Sequence, residues 1–131
     1  MIKKIISIIV IIAILFGVFK LLSQKPSSTT NNNPTLQDLV LFYGNTCPHC
    51  KIVEEFIKTN KIDEKLKIDQ LEVYDNKANA ATMVSLVQKV CPDQITKEGI
   101  VVPFLVDTKN NQCIIGDTPI NDYLSSQVKY V

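Results

Sequence analysis

The sequence predicts an α/β domain with a mixed four-stranded sheet and flanking helices, in the order βαβαββα, preceded by an N-terminal membrane anchor. Three observations predict it. Short apolar runs alternate with helical stripes from Leu36 onward; a long uncharged apolar run opens the chain; and a purely polar stretch separates the two. At 131 residues the chain holds one compact domain plus an appendage.

The appendage comes first. Ile5 to Phe19 carries no charge, Lys3 and Lys4 precede it, and Lys20 interrupts it before Leu21 and Leu22. With Lys20 snorkelling, Ile5–Leu22 sits at the short end of the roughly 17–25 residues that span a bilayer. A cleaved signal peptide, with Lys3 and Lys4 as its basic start, is the rival reading; a buried core helix is a third. No small-x-small cleavage site and no lipid-bearing cysteine stands near the end of the run, so an uncleaved anchor over 1–22 is the expectation. Either export reading puts the domain outside the cytoplasm, and the lysine distribution biases the N-terminus only slightly toward the inside. Ser23 to Thr35 contains no large apolar residue and reads as a flexible tether. The composition changes at Leu36, so the folded domain is expected over 36–131.

Within that domain Leu39–Tyr43 is a continuous apolar run, as in a strand covered on both faces. Asn45 or Thr46 is placed to cap the following helix, with Pro48 in its first turn and Ile52, Val53, Phe56 and Ile57 as its apolar stripe. Lys67–Tyr74 alternates loosely and predicts a second strand. Asn76 or Asp75 starts a second helix whose stripe is Ala80, Met83, Val84, Val87, Val90 and Cys91, and Pro92 stops it. Ile100–Val106 predicts a strand containing Pro103. Asn110-Asn111 predicts a hairpin turn, and Cys113–Ile115 the returning strand, ended by Gly116. Thr118 and Pro119 open a last helix carrying Ile120, Tyr123 and Leu124. The first half is thus a parallel βαβ unit and the second an antiparallel hairpin plus a helix.

Charge narrows the function. Four of the 14 basic residues precede the domain, which keeps ten lysines against 13 acidic residues and no arginine. A domain of net charge about −3 with no basic patch argues against nucleic acid as a partner.

The chemistry is concentrated in Cys47-Pro48-His49-Cys50, at the strand-to-helix junction. A Cys-x-x-Cys there lets one thiolate attack a disulfide in another molecule and the second thiol release the product. Unpaired N–H groups at a helix N-terminus favour a negative sulfur on Cys47, and Cys50 lies one turn on as the resolving thiol. The plainer readings are an inert pair or half of a zinc site, but no second Cys-x-x-Cys or pair of histidines supplies the remaining ligands. Cys91 and Cys113 complete an even count of 4 cysteines. They read as buried free thiols or as a structural disulfide, with a second redox pair as a further alternative.

With these residues in view, the chain resembles the thioredoxin-fold superfamily in its small glutaredoxin-like form. The likeness covers about Leu36 to Tyr130 and rests on Cys47-Pro48-His49-Cys50, Val102-Pro103 and Gly116-Asp117. The Pro-His dipeptide between the cysteines is similar to that of the DsbA group of periplasmic oxidases, although the large helical insertion of that group is missing. The resemblance implies that His49 stabilises the Cys47 thiolate, that Pro103 is cis and lies against the cysteines, and that Val102 pairs with substrate backbone. Without it, His49 is an exposed polar residue and Pro103 an edge-strand or bulge proline. Asp117 falls where glutaredoxins contact glutathione. Glutathione dependence is not expected, since no arginine and no clear lysine cluster stands ready for its carboxylates, although Lys51 is beside the motif; the plain alternative is an aspartate assisting the cap of the last helix.

The expected function is a membrane-tethered, extracytoplasmic thiol-disulfide oxidoreductase that needs no metal or organic cofactor. Its substrates would be protein thiols and disulfides, with oxidation of exported proteins as the leading direction and an integral membrane protein as redox partner. The alternatives are a reductase or isomerase fed electrons across the membrane, a non-catalytic adaptor that holds clients in the Val102-Pro103 groove, and a metallochaperone binding through Cys47 and Cys50.

Overall fold

A computed structural model describes residues 36–130. The anchor expected over 1–22 and the tether over 23–35 lie outside the described residues. Among the described residues no helix is long and apolar enough to cross a membrane.

The elements run β1 (Leu39–Tyr43), α1 (Pro48–Thr59), β2 (Ile68–Glu72), α2 (Lys77–Val90), a 3-10 turn (Pro92–Gln94), β3 (Phe104–Asp107), β4 (Gln112–Ile115) and α3 (Asp117–Val128). The sheet order is β2-β1-β3-β4. β1 pairs with β2 in parallel, while β1–β3 and β3–β4 are antiparallel. This is the mixed α/β sheet that the order of apolar runs predicts.

The period of two along the strands divides the core into two layers. Leu39, Leu41 and Leu105 face α1 and α3 and pack with Val53, Ile57, Ile120 and Leu124. Val40, Phe42, Phe104 and Val106 face the other way and pack with Met83 and Val87 of α2. The central position of β1 explains why Val40, Leu41 and Phe42 are all fully buried.

Several boundaries differ from the sequence reading. The third strand begins at Phe104, not Ile100. Pro103 has no N–H to give a ladder, and its carbonyl accepts the Gly116 amide at 3.0 Å. The last helix begins at Asp117, with Gly116 rather than Thr118 at its N-cap. Gly116 has φ +90°, a backbone conformation that glycine adopts without steric cost. Cys91 does not lie on the stripe of α2; it is the C-cap residue just past it. Val84 and Ile52, both read as core-facing, are exposed. Asn76 caps α2 as expected, its Oδ1 accepting from the Ala78 and Asn79 amides at 3.1 Å each.

Candidate functional site

The register of the sheet builds the site. Phe42 near the end of β1 pairs with Phe104 at the start of β3. The segments continuing from these strands, Gly44–Cys47 and Val102–Pro103, therefore emerge side by side at one end of the sheet.

After β1 the chain turns sharply, and the Cys47 amide donates to the Gly44 carbonyl at 3.1 Å. A side chain at Gly44 would collide with the Tyr74 ring. This turn is also tied to the loop before α2. Asn45 Nδ2 donates to Asp75 Oδ2 at 2.5 Å, and the Asn45 amide reaches Glu72 Oε1 at 3.4 Å. Glu72 accepts three further amides, from Tyr74, Asp75 and Asn76. Desolvation pushes the Glu72 carboxyl up, but these backbone donors outweigh it and hold the group below its ordinary value.

Helix α1 is capped by the first cysteine, not by Asn45 or Thr46. Cys47 is the N-cap residue, and its sulfur accepts the Cys50 amide at 3.2 Å. Pro48 takes a first-turn position, where its missing N–H costs nothing. Cys47 and Cys50 form a disulfide with their Cα atoms 5.2 Å apart. The Gly44 amide points at the Cys50 sulfur, 3.5 Å away. Cys47 is 6% exposed and Cys50 1%, so an incoming sulfur reaches Cys47 first.

The carbonyl oxygen of Val102 lies 3.7 Å from the Cys47 sulfur. The Val102–Pro103 peptide bond is cis, and the Pro103 ring is fully buried. The Val102 carbonyl thus meets the Cys47 sulfur, and the buried cis proline follows directly in the chain.

His49 stands apart from that expectation. Its ring is 70% exposed, and Nδ1 lies 3.0 Å from Asp117 Oδ2. The hydrogen-bond partner seen is a carboxylate and not the Cys47 sulfur. The other oxygen of Asp117 accepts the Thr118 amide at 2.8 Å. The hydrogen bond from His49, followed by that amide, holds the Asp117 carboxyl below its ordinary value.

Cys91 and Cys113 are bonded to one another, with their Cα atoms 6.4 Å apart. The bond leaves no room for the reading of two free thiols. The bond joins the C-cap of α2 to β4, and the loop it closes contains Val102 and Pro103. All four cysteines are therefore paired. Among the described residues no group of three or more His, Cys, Asp or Glu side chains is placed to hold a metal ion.

Sequence reasoning placed Val102 beside Cys47 and Cys50, and the Val102 carbonyl is in contact with the Cys47 sulfur. It missed Glu72 as the anchor of the turn before Cys47 and Asp117 as the partner of His49. Nothing local signals either, because Asn45 and Glu72 are 27 residues apart and His49 and Asp117 are 68 apart. A comparison with protein-family models finds no match to this chain, and a comparison with curated proteins finds no relative.

Proposed function

We propose that this chain is a thiol-disulfide oxidoreductase of thioredoxin-like fold, tethered through residues 5–22 with its domain on the extracytoplasmic side. The observation that carries the reading is the position of Cys47. It is both the N-cap of α1 and the more exposed partner of a disulfide, and its sulfur accepts a helix N-terminal amide.

That position has a chemical consequence. A thiolate on Cys47 gains from the same donor and from the helix dipole, so Cys47 is stabilised as nucleophile and as leaving group. In the oxidising direction a client thiolate attacks the Cys47 sulfur, the Cys47–Cys50 bond breaks, and Cys50 leaves with the electron pair and takes up a proton. A second client thiolate then attacks the client sulfur of the mixed disulfide and displaces Cys47. The client loses two electrons and two protons; the protein becomes a dithiol. A membrane partner must then remove those electrons. The Val102 carbonyl, 3.7 Å from the Cys47 sulfur, supports a role for that residue in seating client backbone.

A second direction, reduction or isomerisation with electrons delivered across the membrane, draws support from His49. The argument for a strong oxidant rests on His49 serving the thiolate, and its observed partner is Asp117.

Trapping tests the covalent chemistry. Cys50→Ser should accumulate a mixed disulfide between Cys47 and a client thiol, seen as a reductant-sensitive adduct, and Cys47→Ser should form none. Clients held without any covalent adduct in Cys50→Ser would instead identify an adaptor.

A further inference from the structure

The contact between His49 and Asp117 joins the two halves of the site. His49 belongs to the first turn of α1. Asp117 begins α3, next to Gly116, whose amide is bonded to the Pro103 carbonyl. The contact is seen with Cys47 and Cys50 bonded to each other, a state in which neither sulfur carries charge. A carboxylate only accepts, so Nδ1 of His49 carries the shared hydrogen, and a neutral ring then has no second hydrogen to offer Cys47. The nearest cation in sequence, Lys51, is paired with Glu54 at 3.0 Å.

We propose that Asp117 is a positioning residue that lowers the oxidising power of the Cys47–Cys50 pair by competing with the Cys47 thiolate for His49. In the disulfide state Asp117 has the imidazole to itself. Reduction by two glutathione thiols breaks the Cys47–Cys50 bond and forms glutathione disulfide. It leaves Cys47 as thiolate and Cys50 as thiol, with one proton released. A new anion has then appeared two residues from His49. Any hydrogen bond or charge that His49 lends to Cys47 is withdrawn from Asp117, so the carboxylate favours the disulfide form. This inference rests on the redox reading of Cys47 and Cys50 and extends it to the setting of their potential.

The test is the equilibrium of the full-length chain with glutathione and glutathione disulfide. The state of Cys47 and Cys50 is read by alkylation and peptide mass, separately from Cys91 and Cys113. Asp117→Asn removes the charge but keeps an acceptor for the Thr118 amide. Asp117→Asn should shift the equilibrium by up to about fivefold toward the dithiol, the ceiling for an exposed pair. That corresponds to about 20 mV more oxidising for a two-electron couple. In a His49→Ala background the same substitution should shift nothing, and Asp117→Glu should restore most of the wild-type value. A structural role would lower unfolding stability without this dependence on His49. If Asp117→Asn does not fold, Asp117→Ser carries the same expectation. An unchanged equilibrium, a shift toward the disulfide, or an equal shift without His49 overturns the proposal while leaving the redox reading standing. If the wild type has no reversible couple, both fall together.

Discussion

Asp107 is the one charged side chain that is nearly fully buried among the described residues, at 3% exposure. It sits at the end of β3 and accepts the Tyr123 hydroxyl at 2.5 Å, and the Asn110 amide and Nδ2 at 2.8 Å each. Burial pushes its carboxyl up, but these donors win and hold it below the ordinary value. Tyr123 is pushed up to about 12, by burial first and then by its bond to Asp107. The signs follow from linkage. The depressed Asp107 contributes stability above its unfolded value near 3.8, lost as pH falls through the folded one. The raised Tyr123 contributes stability below its unfolded value near 10, lost as pH rises toward about 12. Tyr123→Phe should therefore cost about 1.5–3 kcal/mol at neutral pH, the range for hydrogen bonds to charged groups. Its deficit against wild type should shrink between pH 10 and 12 when both are unfolded in urea. A deficit that stays constant over that window would contradict the assignment. These residues also mark the limit of sequence reading. Cys47 and Cys50 are legible because their chemistry needs only a spacing of three and a helix start. Tyr123 reads as one more apolar position on α3, because its partner Asp107 lies beyond the hairpin on another element.

Among the elements, the starts of α1 and β3 both differ from the sequence expectation, and both are where the site lies. A cysteine is not among the residues expected to cap a helix, so Asn45 and Thr46 drew that role. The sulfur took it because Gly44 turns the chain and Pro48 starts the helix directly after Cys47. The run Ile100-Val101-Val102 has the composition of a strand, yet the ladder begins only at Phe104. The Val102 carbonyl, left out of the sheet, lies against the Cys47 sulfur instead. The second disulfide belongs to this scale. It closes a loop with sequence separation 22 around the 3-10 turn, Val102, Pro103 and β3. In the chain-entropy account a loop of that length contributes about 3 kcal/mol. Cys91→Ser/Cys113→Ser should lose about that much in urea unfolding while keeping the Cys47–Cys50 pair reactive. Loss of reactivity in a variant that remains folded would show that the bond also holds Val102 and Pro103 in place.

Across the whole domain, the order of elements was legible because apolar runs, helical stripes and turn residues mark it from Leu39 to Gly116, while the sheet order β2-β1-β3-β4 was not. Antiparallel pairing of β1 with β3 then does what no local pattern can. It brings Val102 against Cys47 across a separation of 55 residues. The most direct test of this account is to equilibrate the full-length chain with glutathione and measure the Cys47–Cys50 couple. The account predicts a reversible two-electron couple, nearer the roughly −120 mV of strong oxidants than the roughly −270 mV of thioredoxin. A couple near the lower value would reverse the direction and keep the chemistry. The absence of any exchange at Cys47 and Cys50 would contradict the central claim.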